Sequence, residues 1–299
     1  MTAGPQSAIS AGELQELDQL VEAALAADDE SRLPTLGYGE ISLVLGWPVG
    51  APAVACKRLP PFPGRAQFDA YRATLAAYVA ALQAAGIRVV DTELQGVERA
   101  DGTVAGYVVQ PVLPADSLAP VVLRRADPSA GHPLVAEVVA AAAAAVAPRV
   151  GIDAQLANWT WDGAGLIYID VSTPMLWSES GTPLLDLSLL ARAFPAVLRA
   201  PLRRFVAPRI LNGYRDLRGV YLDMTGNLIK ERLEVWLPSF LDELNQLLDE
   251  PLTEAEVRAY YRSDARLWEA LLRIRRLDRA WHRRTGRPYP FLLPGSIDR

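Results

Sequence analysis

One cysteine and two histidines in 299 residues exclude several kinds of chemistry at the outset. Cys56 has no second thiol in the chain, so no internal disulfide forms. His132 and His282 have no ligand-like spacing, which sets aside a zinc site and a histidine-dependent catalytic triad. Long apolar runs are missing too. The alanines at 140–145 come nearest to one, and they are too few and too weakly apolar to span a membrane. The N-terminus is rich in Ala, Ser and Gly and then turns acidic, unlike a secretory leader. A net charge of −5 argues against broad nucleic-acid binding. The arginines from Arg273 to Arg287 interleave with acids and apolar residues and read as a solvated helix face. The expectation is a soluble, cytoplasmic protein with no nucleic-acid or membrane partner.

What is present is enough apolar material, 51% of the residues, for a sizeable core. Residues 1–10 read as disordered. Leu14, Leu17, Leu20, Val21 and Leu25 then recur at helical spacing over 11–27. Short apolar runs at 41–45 and 53–59, separated by Gly46-Trp-Pro-Val-Gly50, predict a hairpin. Phe68, Tyr71, Leu75, Tyr78 and Leu82 predict a helix over 65–85 that Gly86 stops. Residues 88–94 and 107–112 read as strands. The order strand, strand, helix, strand, strand describes a small α+β unit ending near 113. Helices are expected after it, over 134–147, 184–200, 226–249 and 253–284. The last carries the capping signature Thr253-Glu-Ala-Glu256. The tail 287–299 reads as Pro-rich and extended.

Four constellations carry candidate chemistry. Asp153 and Asn158 stand five residues apart, and Asp170 comes after the apolar run 166–169. Two acids and an amide that converge suit a divalent metal and phosphate oxygens, with a base for a hydroxyl nucleophile. Gly37 and Gly39 flank one residue between strands, where a tight turn or a close approach to phosphate needs no side chain. Taken alone, they are an ordinary β-turn. Lys57 lies in the run Val54-Ala-Cys-Lys, whose alternation puts Ala55 and Lys57 on one face and Cys56 on the other. Taken alone, that lysine is an edge-strand cation in water. Finally, Gln110 to Asp116 joins a buried strand to the helical part of the chain through a proline-containing connector.

In this order and spacing the four constellations resemble the protein-kinase-like superfamily, closest to its aminoglycoside-phosphotransferase-type branch of small-molecule kinases. Residues 36–44 are similar to the glycine-rich loop, with Ser42 at its third glycine. Val54 to Lys57 is similar to V-A-I-K, Asp153 to Asn158 to the D-x-x-x-x-N catalytic loop, and Asp170 stands at the aspartate of D-F-G. The likeness covers about 35–190. It implies a two-lobed α+β fold, with an N-terminal tail and helix over 1–30, a small antiparallel-sheet N-lobe over 31–113 and a larger, mainly helical C-lobe over 114–299. It implies that Gly37, Gly39 and Ser42 cover the phosphates of ATP and that Val44 and Ala55 lie over the adenine. By the same resemblance Gln110 and Val112 would belong to the inter-lobe hinge, and Asp116 would either reach the ribose or be a plain connector acid. Lys57 would pair with the α- and β-phosphates, Asn158 and Asp170 would hold Mg²⁺, and Asp153 would position or deprotonate the acceptor hydroxyl.

The departures are specific. Gly151 stands two before Asp153 where kinases often carry His, and Val171-Ser172 replaces Phe-Gly. The helix at 65–85 offers no glutamate for Lys57, which leaves Asp69, Glu93 or Glu40 as partners. The stretch from Asp170 to Asp186 is too short for an activation loop, and this favours a small-molecule acceptor. Asp186 either anchors the catalytic loop or caps its own helix. Tyr214, Tyr221, Trp236, Tyr260 and Trp268 either line an acceptor pocket or fill the core. The expected function is ATP- and Mg²⁺-dependent transfer of the γ-phosphate to a hydroxyl of a small molecule. The alternatives are a nucleotide-binding pseudokinase that acts through a protein partner, and a protein kinase or nucleotidyltransferase on the same fold.

Overall fold

The computed structural model describes residues 9–38, 43–192, 194–286 and 289. Gly39, Glu40 and Ser42, residues 1–8 of the stretch 1–10 read as disordered, and nearly all of the extended tail lie outside those residues; Ile9 and Ser10 are ordered, the first buried and the second capping a helix. The chain is α+β, a small antiparallel sheet followed by a mainly helical remainder. The N-terminal helix α1 (Ala11–Ala27) opens on a reciprocal cap between Ser10 and Glu13. Strands β1 (Thr35–Tyr38), β2 (Leu43–Trp47) and β3 (Val54–Arg58) come next, then α2 (Arg65–Ala84), β4 (Glu93–Glu98) and β5 (Val104–Pro111). The sheet order is β1-β2-β3-β5-β4, antiparallel throughout.

Each face of the sheet has its own cover. On one, Leu45, Cys56 and Val109 stand opposite one another across β2, β3 and β5 and pack under Leu14, Leu17 and Val21 of α1. Leu17 and Val21 are wholly buried, and each such side chain stabilises the fold by roughly 1.5–3 kcal/mol. The other face carries Val44, Lys57 and Val108 in one row and Gly46, Ala55 and Gln110 in the next. Its inner part shares a core with α2 and with the helices that succeed the sheet.

After the sheet come α3 (Ala119–Arg125) and α4 (Pro133–Ala145), then the hairpin β6 (Trp159–Trp161) and β7 (Leu166–Tyr168). Next are α5 (Leu187–Ala191), α6 (Ala196–Pro201), α7 (Ala207–Gly213), α8 (Leu217–Lys230), α9 (Leu237–Leu244) and α10 (Glu254–Arg284). The expected helix over 184–200 is two short pieces, because Pro195 immediately precedes Ala196 and has no N–H to continue the first. The expected helix over 226–249 is also two. α8 starts earlier, capped by Asp216, and ends before Arg232, which adopts a left-handed φ of 57°. Thr253 and Glu256 cap α10 as its sequence implied.

Residues 88–90 are extended, but their partner is the hairpin rather than the sheet. Tyr168 N–H donates to Arg88 O at 2.8 Å, and Val90 N–H to Tyr168 O at 3.0 Å. This stitch carries the hairpin, and with it Asp170, to the side of the sheet where Lys57 lies. Among the described residues, no helix is long and apolar enough to cross a membrane.

Candidate functional site

Period-2 alternation decides which β3 side chains face the cleft. Cys56 is fully buried under α1, and that burial pushes its thiol up to about 12, which leaves it inert. Ala55 and Lys57 point the other way and are half-buried. Val44 stands opposite Lys57, and Gln110 opposite Ala55, so Val44, Ala55, Lys57 and Gln110 share one face. Gly37 pairs with Val44 on the outer strand, with open space where a side chain would be.

Lys57 does have a partner, and it is none of the acids considered for it. Its Nζ donates to both carboxylate oxygens of Asp170 at 2.8 Å, across 113 residues of chain. Side-chain exposure is 20% for Lys57 and 32% for Asp170, so the pair is shielded yet reachable from solvent. The other candidates are committed elsewhere: Asp69 pairs with Arg65 and Arg72, and Glu93 accepts from Gln95. Asp170 Oδ1 also accepts from Ser172 N–H at 3.1 Å and from Ser172 Oγ at 2.7 Å. Burial works against the Asp170 charge, but the Lys57 ammonium and the Ser172 donors outweigh it and hold the carboxyl below its ordinary value.

The segment 151–158 is fixed largely through its backbone. Tyr78 of α2 donates to Gly151 O at 3.1 Å, Tyr168 to Asp153 O at 3.2 Å, and Trp159 Nε1 to Ala154 O at 3.3 Å. Asn158 Nδ2 closes the turn onto Asp153 O at 3.1 Å. Ile169 N–H donates to Asn158 O at 2.9 Å, which joins Asn158 to the residue beside Asp170. Asp153, half-buried, accepts from Gln155 N–H at 3.2 Å. The Gln155 side chain reaches Asp223 at 2.9 Å, and Tyr260 donates to the other Asp223 oxygen at 2.7 Å. Sequence reasoning missed Asp223, a buried acid in the middle of α8. Its signal was an acid at an otherwise apolar helix position.

Gly151 has a physical reason to be glycine. Its N–H donates to Met175 O, and the next N–H, that of Ile152, to Tyr214 O at 2.9 Å. A Cβ at 151 would lie 2.5 Å from Tyr214 O, closer than any side chain tolerates. Tyr214 therefore contributes backbone here, while Tyr221 and Trp236 are core, their polar atoms bonded to Val139 O and Leu123 O. Tyr260 joins the Asp153 neighbourhood through Asp223, whereas Trp268 packs on Phe194 and Leu271. Asp186 caps α5 through Ser188, and no bond from it to 151–158 is present among the described residues.

The connector behaves as a continuation of the sheet. Val112 N–H donates to Ala53 O at 3.0 Å. Asp116 is exposed in a single helical turn, 3.9 Å from Arg125. A cavity of about 90 Å³ lies away from Lys57, between α2 and residues 184–192, lined by Phe62, Tyr71, Leu185 and Asp186 among others. Among the described residues, no group of three or more His, Cys, Asp or Glu side chains suits a metal. The Asp170 carboxylate is at Lys57, and the Oδ1 of Asn158, whose backbone carbonyl accepts from Ile169 N–H, has no partner among the described residues.

No curated protein matches the chain. Residues 16–279 match DUF6206, a family of unknown function, and the chain belongs to that family.

Proposed function

We propose that the protein is an ATP- and Mg²⁺-dependent phosphotransferase with a small-molecule hydroxyl as acceptor, on a two-lobed kinase-like fold. The contact between Lys57 and Asp170 carries the reading. A sheet lysine and the acid after a hairpin, 113 residues apart, meet at 2.8 Å beside a segment that holds Asp153 and Asn158. An antiparallel five-stranded sheet with a helix between its third and fourth strands supports it as well. Lysine itself is rare here. Lys57 and Lys230 are the lysines of a chain whose other cations are arginine, and Lys57 is the one on the inner sheet face. A flexible stem with a compact ammonium can leave a carboxylate and meet a phosphate without rebuilding a planar fork of bonds.

The residues fit the cofactor. Asp170 and Asn158 offer a carboxylate and an amide oxygen, hard donors of the kind Mg²⁺ takes in small number alongside phosphates. Mg²⁺ held by Asp170 and Asn158 would supply charge to neutralise the phosphates. Lys57 provides the positive charge for the α- and β-phosphates, with Gly37, Val44 and Ala55 around the nucleotide. Asp153 takes the proton of the acceptor hydroxyl as its oxygen bonds to the γ-phosphorus and the bond to the ADP oxygen breaks. The network Gln155–Asp223–Tyr260 holds the acceptor side of Asp153 in place. Positioning and charge compensation supply most of the catalysis.

A second reading, nucleotide binding without turnover, draws on the same pair. Lys57 and Ser172 already supply the Asp170 carboxylate with donors, so the acid is satisfied by the chain itself. One series separates the two. Mg²⁺·ATP raises the melting temperature of the wild type and fails to do so for Asp170→Ala. ATP hydrolysis that disappears in Asp153→Ala marks an enzyme, and binding with no such hydrolysis marks the second reading. No shift at millimolar nucleotide sinks both.

A further inference from the structure

We infer that Gln110 reads the base of the bound nucleotide and selects one with an amino group at its 6-position, adenine, over guanine, which has a carbonyl there. The inference rests on the nucleotide reading above and adds a specificity residue to it. Its first support is that the amide orientation of Gln110 is determined. Nε2 lies 3.0 Å from Thr92 Oγ1 and 2.8 Å from Ile169 O. Thr92 spends its own hydroxyl proton on Val90 O at 2.8 Å, so its oxygen can only accept. A backbone carbonyl also only accepts. Both contacts therefore require N–H, and the flipped amide would set an oxygen against two acceptors. The Nε2 group is used up in tying β5 to the residue before Asp170, and Oε1 is left with no partner among the described residues.

Position supplies the rest. Gln110 faces Ala55 across the β3–β5 ladder, one pleat from Lys57 and on the same side. It is where β5 changes from fully buried to half-buried, at the rim of the core. The backbone after it is sparing with donors: Pro111 and Pro114 carry no N–H, that of Val112 is given to Ala53, and that of Leu113 remains. A base seated on Ala55 with its phosphates at Lys57 meets one side-chain group of fixed polarity, the Gln110 carbonyl oxygen. An amine of the base donates to it, whereas a ring carbonyl at that position is repelled.

The test is calorimetric, on the full chain with Mg²⁺. ATP, GTP and the triphosphate of purine riboside, which lacks the 6-amino group, are titrated into the wild type and Gln110→Leu. One neutral hydrogen bond predicts that the wild type binds ATP about tenfold more tightly than the purine analogue, with GTP weaker still. In Gln110→Leu the preference falls to within about twofold, even where all three bind less tightly because the tie to Ile169 is lost. Equal affinities in the wild type, or a preference that survives Gln110→Leu, overturn the role of Gln110 and leave the nucleotide site standing. Should Gln110→Leu not fold, the wild-type ratio of ATP to the purine analogue decides alone, and a ratio near one overturns the inference. Binding of none of the three overturns the nucleotide reading and this inference with it.

Discussion

Tyr71 of α2 donates its hydroxyl to Ser172 O at 2.7 Å, two residues beyond Asp170. It stands on the helix that offers no glutamate for Lys57. The helix thus steadies the acid of the pair through a neutral bond to its loop, and the acid holds the lysine. Burial, and then the nearby Asp170 charge, push the Tyr71 phenol far above its ordinary value, so it remains a donor at any working pH. Tyr71→Phe leaves a buried carbonyl unsatisfied and should cost about 1–3 kcal/mol of stability. Urea unfolding reads this directly, and the thermal shift with Mg²⁺·ATP should weaken in parallel. An unchanged urea midpoint would show that the bond contributes nothing.

The Lys57–Asp170 pair should also be visible in the acid limb of stability. The folded-state value of Asp170 is depressed, so its contribution is complete above the unfolded value of about 4 and is lost as pH falls through the lower folded value. Asp170→Asn should therefore be less stable than the wild type at pH 7, by about 1–3 kcal/mol for a charge-assisted, partly shielded pair. That gap should narrow steadily below about pH 4. Urea midpoints for both proteins from pH 7 to pH 3 test it. A gap independent of pH would mean that the variant is harmed for another reason.

Local periodicity made half of this site legible and distance hid the other half. Alternation alone placed Ala55 and Lys57 together and Cys56 in the core, because strand geometry leaves no other choice once one face is buried. The D-x-x-x-x-N spacing marked a real turn, closed by Asn158 onto Asp153 O. That Asp170 itself receives Lys57 depends on how the hairpin docks through residues 88–90, and no local pattern encodes that docking. Asp223 stayed hidden because α8 was read as beginning too late. Gly219 and Gly226 look like helix breakers, yet Gly226 lies inside α8 where a Cβ would meet the Tyr260 ring at 2.9 Å. The glycine admits Tyr260, and Tyr260 then bonds to Asp223.

Gly151→Ala is the sharpest test of how the segment 151–158 is held. The added carbon would sit 2.5 Å from Tyr214 O and 2.9 Å from its carbonyl carbon, and backbone cannot turn aside as a side chain can. The two segments must part, straining the bonds from Ile152 N–H to Tyr214 O and from Tyr78 to Gly151 O. Overpacking of this kind costs about 1–3 kcal/mol. Thermal unfolding should register the loss, and any ATP turnover should fall by more than nucleotide affinity, since the segment carries Asp153 rather than the Lys57 face. A variant as stable as the wild type would mean that the two segments separate freely.

The two ends of the fold are held together by charge. Asp28, at the C-terminal end of α1, meets both Arg279 and Arg283 of α10, and Arg279 also reaches Glu30 at 3.3 Å. Partial burial works against the Asp28 charge, yet the two guanidiniums hold its carboxyl below the ordinary value. Arg279 and Glu30 are only 20% and 19% exposed, so screening is incomplete, while Arg283 at 61% is open to solvent. Arg279→Gln should therefore cost more than Arg283→Gln, about 1 kcal/mol against a few tenths. Because α1 seals one face of the sheet, the loss should appear first as faster amide exchange near Ala24 to Asp28, before any global change. Raising salt from about 0.1 M to about 1 M should erase most of the difference for Arg283→Gln and less of it for Arg279→Gln. Equal effects of the two substitutions, or no change in exchange at the end of α1, would show that α10 is held by its apolar contacts with α8 alone.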